Sequence, residues 1–241
     1  MLFRSASGAG DVDGDGFGDL VLGANGSDLG GTDSGATGLF LGPLGNGARR
    51  FREADRLWIG SGGTEYFGDQ VAAPGDLDGD GYDDVLSVSQ GDGPGAVLVL
   101  HGAARTDADR TPRRSQDALT RFVGEASYDQ AGASVTGAGD TDGDGWQDIV
   151  IGAYGSDRGQ VDAGAAYLLR GPFAPGTHPL ADADVVWQGL AEGDNLGKAV
   201  SGGRDVDGDA LPDVLLGALY DDSGGPFAGR AWLFTESSLR R

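Results

Sequence analysis

The residues with the most evident chemistry are aspartates in four short loops of the form D-x-D-x-D-x-x-x-D. Four carboxylates within nine residues repel one another unless a cation draws them together. Hard divalent cations take oxygen ligands, and flexible carboxylate loops suit calcium better than the rigid octahedron of magnesium. The predicted carboxylate ligands are Asp11, Asp13, Asp15 and Asp19 in the first loop, Asp76, Asp78, Asp80 and Asp84 in the second, Asp140, Asp142, Asp144 and Asp148 in the third, and Asp205, Asp207, Asp209 and Asp213 in the fourth.

The remaining loop positions also fit a cation site. Position 7 would add a backbone carbonyl, and glycine at positions 4 and 6 permits a tight turn. The predicted carbonyl ligands are those of Phe17, Tyr82, Trp146 and Leu211. The fourth loop departs from the pattern, with Ala210 at position 6 and Pro212 at position 8. If position 6 needs a positive φ, alanine costs about 1 kcal/mol there, so we expect up to four calcium ions and the weakest binding at the Asp205–Asp213 loop.

An EF-hand is the main alternative to this kind of loop. It requires glutamate at position 12 and a helix on each side. Position 12 is apolar or serine in every loop, and it falls in the following apolar segment: Leu22, Ser87, Ile151 and Leu216. The ligand set therefore closes at position 9. A run of solvated aspartate turns is the other interpretation, and it weakens because four loops recur in register.

The loops belong to four tandem repeats, whose first aspartates lie about 64 residues apart. Each repeat has short apolar or alternating segments separated by Gly and Asp, which is typical of small antiparallel sheets. The second segment is apolar on both faces, so neighbouring sheets must cover it, as they do in a β-propeller. The first segment, rich in small residues, would be innermost, and Trp58, Phe122 and Trp187 would pack outermost.

The sequence therefore predicts an all-β chain, a β-propeller of four-stranded antiparallel blades with about four blades present. We interpret residues 1–241 as one propeller domain. The approximate blades are 1–62, 63–126, 127–191 and 192–241, and the last is expected to lack its outer strand. An open arc, a part of a seven-bladed ring and a closed four-bladed ring are all compatible with this pattern.

Composition limits the partners. The net charge is −21 and 33 of the 38 acidic residues are Asp, a turn and metal-site residue rather than a helix former. Nucleic acid is disfavoured because phosphate binding needs clustered cations, and the one basic segment, 105–114, is predicted to be a solvated loop. The absence of Cys excludes disulfides and thiolate metal sites. No apolar run is long enough to predict a membrane span.

Together these features resemble the FG-GAP repeats of integrin α-subunit propellers. Phe67-Gly68 and Leu196-Gly197 match the FG position, Leu22-Gly23-Ala24 and Ile151-Gly152-Ala153 match the GAP position, and the loops lie between the two. The second repeat departs, with Val88-Ser89-Gln90. The resemblance implies a propeller of usually seven blades, with calcium in hairpin loops on one face and ligands bound through other loops, often on the opposite face. The blade count then suggests a partial protein, which would explain why no signal peptide is visible.

The leading functional hypothesis is a calcium-stabilised binding module, extracellular or at the cell surface, for adhesion or for protein or glycan recognition. It is not expected to be an enzyme, because His101 and His178 are interpreted as structural and no nucleophile or phosphate-loop motif occurs. The alternatives are a propeller accessory domain of a secreted hydrolase or lyase, and a structural spacer. Open blade edges would favour self-association.

Overall fold

The strands fall into four sheets, one for each sequence repeat. The structure is a computed structural model that describes residues 3–91, 93–105 and 111–235. In each sheet the strands that come from its own repeat lie side by side in chain order and run antiparallel. Each sheet is therefore one blade, and its first strand lies at the opposite edge from its last.

The first blade begins with a strand made almost entirely of small residues. A short 3-10 turn, Phe51–Glu53, precedes its fourth strand. The strands are β1 (Ser5–Gly10), β2 (Asp19–Ala24), β3 (Ala36–Phe40) and β4 (Arg56–Ile59).

The second repeat has the same order, with an extra short strand between its third and last strands along the chain, and this extra strand lies in the sheet of the first blade. A 3-10 turn, Ser115–Asp117, follows that extra strand. The strands are β5 (Val71–Gly75), β6 (Asp84–Ser89), β7 (Ala96–Leu100), β8 (Arg113–Arg114) and β9 (Thr120–Val123).

The third blade repeats this arrangement, and the fourth contributes three strands within the described residues. A 3-10 turn, Leu180–Asp182, lies before the last strand of the third blade. The third repeat comprises β10 (Ala131–Gly139), β11 (Asp148–Ala153), β12 (Ala165–Leu169), β13 (Gly176–Pro179) and β14 (Val185–Gln188). Its β13 lies in the sheet of the second blade. The fourth comprises β15 (Leu196–Arg204), β16 (Asp213–Ala218) and β17 (Arg230–Phe234).

Consecutive blades pack face to face, and this explains the apolar runs in the second strands. Alternate residues of β6 point to opposite sides, so Val85 joins a cluster with the first blade and Leu86 joins one with the third. A third cluster, which includes Val150 and Val214, fills the space between the third and fourth blades. The first strands β1, β5, β10 and β15 contact one another in succession, as expected for innermost strands.

The extra strands β8 and β13 tie each blade to the one before it. Arg113 and Arg114 of β8 pair in parallel with Trp58 and Ile59 of β4. In the same way β13 pairs in parallel with β9 of the second blade. A segment of the following repeat thus closes the outer edge of the preceding sheet, which the sequence did not predict. The interpretation of 105–114 as a solvated loop is wrong for Arg113 and Arg114, and 106–110 lie outside the described residues.

The all-β fold with propeller blades is confirmed, and the described blades do not close into a four-membered ring. Within the described residues the first and fourth blades share no hydrophobic cluster. The outward face of the fourth blade exposes Leu215 and Leu233, at 44% and 47%. On the outward face of the first blade Leu20 is 48% exposed, beside a small cluster that includes Phe51 and Ile59. The blade boundaries at 62, 126 and 191 stay predictions.

Candidate metal centre

The four aspartate loops join the first and second strands of the four blades, so they lie on one face of the stack. Positions 4 and 6 are left-handed in every loop, for example Gly79 at φ 77° and Gly81 at φ 89°. Ala210 takes the same conformation, with φ 74°. The expectation that position 6 needs a positive φ is therefore confirmed, and the fourth loop carries a strained alanine where the others have glycine.

The carboxylate at position 1 gives each loop its shape. In the second loop, Asp76 Oδ1 accepts a hydrogen bond from the Gly79 amide at 2.7 Å, and Oδ2 accepts one from Gly81 at 2.9 Å. The amide at position 6 makes the same bond in each of the other loops, to Asp11, Asp140 and Asp205. Asparagine or serine could not supply two anionic acceptors in this geometry, so the position-1 aspartate is required for the fold of the loop as well as for its charge.

The structure brings most of the predicted carboxylates together. In each cluster, one potential ligand atom per residue lies within 4.8 Å of those of the other members. The clusters are Asp11, Asp13 and Asp15; Asp76, Asp78 and Asp80; Asp140, Asp142 and Asp144; and Asp205, Asp207 and Asp213. Positions 1, 3 and 5 thus converge in the first three loops, and positions 1, 3 and 9 in the fourth.

The aspartate at position 9 is the most deeply buried aspartate of the motif. Asp19 is 2% exposed, and its Oδ2 accepts a hydrogen bond from the Val12 amide at 2.8 Å. Its Oδ1 accepts another at 2.7 Å from the amide of Gly42, just after the third strand. Asp84 and Asp148 make the equivalent pairs of bonds. This aspartate therefore fastens the loop to the blade, and its predicted role as a ligand stays a prediction.

Buried acceptors without partners show that these loops fit a cation. Asp13 is 5% exposed, and its Oδ2 has no hydrogen-bond partner in the part of the chain that the structure describes. In the third loop, Asp142 Oδ1 is also buried and has no hydrogen-bond partner among the described residues. Burial, followed by the nearby Asp15 carboxylate, raises the pKa of Asp13, and burial raises the pKa of Asp19. Such an oxygen needs a positive partner, and an oxygen-preferring divalent ion supplies one.

Neighbouring loops also touch one another through the side chain at position 7. The ring of Tyr82 lies over Gly14 of the first loop, where an added Cβ would be 2.7 Å from a ring carbon. At position 8, Asp83 links the same two loops, because its carboxylate accepts a hydrogen bond from the Asp11 amide at 2.8 Å. The aspartate motif itself predicts no role for Asp83. Its acidic type at a variable loop position was the available signal.

His101 also lies beside an aspartate loop, a position that the sequence pattern did not predict. It follows β7, and its Nδ1 lies 3.0 Å from Asp78 Oδ2 and 3.4 Å from Asp84 Oδ1. The Asp84 carboxylate raises the pKa of His101 above its ordinary value. His178 lies elsewhere, with its ring 5.4 Å from that of Phe122 and its Nε2 2.8 Å from the Ala174 carbonyl oxygen.

Comparison with known proteins agrees with the repeat architecture. The family model described as FG-GAP repeat matches residues 3–40 and 131–169. The chain contains FG-GAP repeats. Each matched segment holds the first three strands of a blade together with its aspartate loop. The two FG-GAP matches thus fall on the first and third blades, and the other two blades share their strand order and loop geometry.

The FG-GAP repeats are similar in sequence to those of integrin α chains. Integrin alpha-5 of Xenopus laevis is 29% identical over 187 residues, covering 73% of this chain and 17% of that protein. Integrin alpha-PS2 of Drosophila melanogaster is 32% identical over 173 residues, covering 66% of this chain and 12% of that protein. Among solved structures, the Bacillus licheniformis rhamnogalacturonan lyase PL11 is similar with a TM-score of 0.46 and 18% identity, covering 88% of this chain and 39% of that one.

The FG-GAP chain spans less than a fifth of the length of these integrin relatives. Within the described residues, no helix has the length and hydropathy that crossing a bilayer requires.

Proposed function

We propose that this protein is a calcium-binding FG-GAP propeller module that recognises a protein or glycan outside the cell or at its surface. The observation that carries the proposal is the set of four aspartate loops in register on one face, with a buried carboxylate oxygen at Asp13 that has no hydrogen-bond partner among the described residues. Calcium is the cation of choice because each loop offers only carboxylate and carbonyl oxygens from a flexible turn.

In this proposal the ions stabilise the scaffold and do not touch the ligand. The loops connect inner strands of successive blades, and Tyr82 and Asp83 link one loop to the next. Bound calcium offsets the repulsion among each loop's carboxylates and thereby orders that face of the stack. Bound cations stabilise the folded state of a chain with net charge −21 more than that of a neutral chain.

Ligand recognition is assigned to the opposite face. The loops that leave the second strands lie there, together with the turns that lead into the first strands. Exposed aromatic rings are found on this face, with Tyr128 76% exposed, Tyr220 45% and Phe227 76%. Tyrosine and phenylalanine are enriched at the centres of protein interfaces, because they bury a large area at a small entropic cost.

Similarity to chains named as integrin α subunits supports an extracellular or cell-surface location and a protein ligand. It also supports a binding module rather than an enzyme. We further propose self-association through the outward faces of the first and fourth blades, where Leu20, Leu215 and Leu233 are exposed.

Differential scanning calorimetry of the full chain tests the calcium proposal. We expect the melting temperature to rise with calcium, to rise much less with the same concentration of magnesium, and to fall when a chelator is added. An identical melting temperature in calcium and in chelator would refute the metal assignment.

Binding of the chain to an array of glycans and proteins, measured in calcium-containing buffer, tests the recognition proposal. Binding should decrease when Tyr128 is replaced by serine. The matched control is Leu119→Ser, because Leu119 is similarly exposed at 66% but lies away from the proposed face. If the wild-type chain captures nothing, or if both variants bind equally, the recognition face is wrong.

A further inference from the structure

The environment of His101 differs from that of the matching residues in the other blades. The residue directly after the third strand is Leu41 in the first blade, His101 in the second and Arg170 in the third. In the third blade, Arg170 Nε lies 3.4 Å from Asp142 Oδ2, so a fixed cation faces the position-3 carboxylate. In the second blade, an imidazole nitrogen occupies that place instead. The two loops are therefore different in chemistry although their aspartate patterns are the same.

We propose that His101, Asp78 and Asp84 form a binding site for a divalent transition-metal ion in the second blade. One ligand atom from each residue lies within 4.8 Å of the other two. Imidazole nitrogen favours zinc, cobalt and nickel over calcium, which takes oxygen ligands only. A neutral imidazole with its proton on Nε2 offers the lone pair of Nδ1 to the ion.

The distances between the ligand atoms fit a transition metal. Two atoms bonded at about 2.1 Å to one ion are about 3.0 Å apart at a right angle and about 3.4 Å apart at the tetrahedral angle. The Nδ1 of His101 lies 3.0 Å from Asp78 Oδ2 and 3.4 Å from Asp84 Oδ1. Nδ1 itself is buried, and it makes no hydrogen bond of acceptable geometry to the described residues.

The surroundings of the three ligands also suit a metal site. Asp84 is fully buried and held by hydrogen bonds from the Leu77 and Gly102 amides at 2.9 Å each, so its oxygens are fixed in orientation. The side chains of His101 and Asp78 are 23% and 33% exposed, so solvent reaches this side of the site. Three protein ligands with an accessible side leave room for water in the remaining positions.

This site shares Asp78 with the calcium cluster of Asp76, Asp78 and Asp80. A transition metal and calcium would therefore compete in the second blade. That competition rests on the proposed function, whereas the transition-metal site does not.

Titration of the full, metal-stripped chain with Co²⁺, followed by visible absorption and by calorimetry, tests the site. We expect one Co²⁺ per chain bound through nitrogen and oxygen, and Zn²⁺ should displace it. His101→Leu copies the residue of the first blade, and it should weaken Co²⁺ binding by at least about tenfold. His178→Gln removes the other histidine of the chain and should leave Co²⁺ binding unchanged.

Equal Co²⁺ affinity in wild type and His101→Leu overturns the site, as does a wild type that binds no Co²⁺. Because the leucine variant could fold poorly, His101→Asn provides a polar second variant, and melting in calcium verifies that each is folded. A variant that loses stability but binds Co²⁺ like wild type would show that His101 only forms an ion pair with the two carboxylates. Failure of the calcium proposal is separate, since it would remove the calcium-dependent rise in melting temperature from wild type and variants alike.

Discussion

The indole of Trp146 lies directly over Gly79, so that a Cβ added to Gly79 would be 2.8 Å from two ring carbons. Trp146 belongs to the third aspartate loop and Gly79 to the second, and Tyr82 stands in the same relation to Gly14. Each loop thus supports the one before it. Position 7 combines a side chain that covers the neighbouring loop with a backbone carbonyl predicted to bind the cation of its own loop.

Gly79→Ala should destabilise the protein more than Gly208→Ala. Both glycines have positive φ, 77° and 88°, so both variants carry a backbone cost of about 1 kcal/mol. Only Gly79 has an aromatic ring above it, whereas Gly208 has nothing within 4 Å. We expect the ring contact to add about 1–3 kcal/mol to the loss. Urea unfolding in calcium measures both variants, and equal losses would show that the indole gives way freely.

Ala210→Gly should stabilise the protein and increase the calcium affinity of the fourth loop. The alanine has φ 74° in a position where the other loops have glycine. Relief of this strain is expected to contribute about 1 kcal/mol, or about 2–4 °C in melting temperature for a chain of this size. The control is Ala54→Gly, at φ −55°, which should lose stability instead. If Ala210→Gly lowers the calcium affinity of the chain, the fourth loop is not limited by its backbone.

The effect of Asp13→Asn on the melting temperature should have opposite signs in chelator and in calcium. In chelator, removal of a buried charge beside Asp15 lowers repulsion, so the melting temperature should rise. In saturating calcium the same variant lacks a carboxylate ligand and should melt below wild type. Asp182→Asn is the charge-matched control, because Asp182 is exposed in a 3-10 turn of the third repeat and belongs to none of the aspartate loops, and it should shift both curves little. Lower melting in both conditions would indicate a structural role for Asp13 without a cation.

Acid should stabilise the calcium-free protein over part of the pH range. The pKa values of Asp13, Asp19 and Asp148 are raised above 3.8, mainly by burial, so the folded state binds protons that the unfolded state does not. Between 3.8 and the raised values, stability therefore falls as pH rises. Calcium reverses the trend because it binds only the deprotonated loops. We expect melting curves with and without calcium to diverge as pH increases, and parallel curves would contradict the assignment.

Leu215→Lys and Leu233→Lys should reduce self-association. Both leucines are on the outward face of the fourth blade, 44% and 47% exposed. Sedimentation velocity over a range of concentrations should show a wild-type shift toward larger species that the double variant lacks. Leu119→Lys, which adds charge at another exposed apolar site, serves as control. A wild type that stays monomeric at all concentrations would exclude the proposed contact.

The sequence predicted the repeating parts of the molecule well. The spacing of Asp76 to Asp84 located a loop, and the apolar run after it located β6, because a strand covered on both faces must be apolar throughout. Residues that act through neighbouring blades were harder to find. Arg113–Arg114 and Gly176–Pro179 have no strand pattern of their own, and they become strands only because an open sheet edge lies beside them.

The same limit applies to the candidate site. The motif placed the carboxylates at positions 1, 3 and 5 in one cluster, as the structure does for Asp140, Asp142 and Asp144. It could not reveal that Asp148 would bond to the amide of Gly171, since that turn is distant in sequence. Nor could it bring His101 to Asp78. Both relationships depend on the register of the third strand against the second, which periodicity alone does not give.

The parallel pairing of β8 with β4, and of β13 with β9, affects how the chain folds during its synthesis. The outer edge of one blade stays uncovered until most of the next repeat has been synthesised. Completion of each blade is thus delayed by most of a repeat, and a polypeptide paused at a repeat boundary would present an unfinished strand edge to chaperones. The blades are therefore completed in order from the amino terminus, each by a segment of the repeat that follows it.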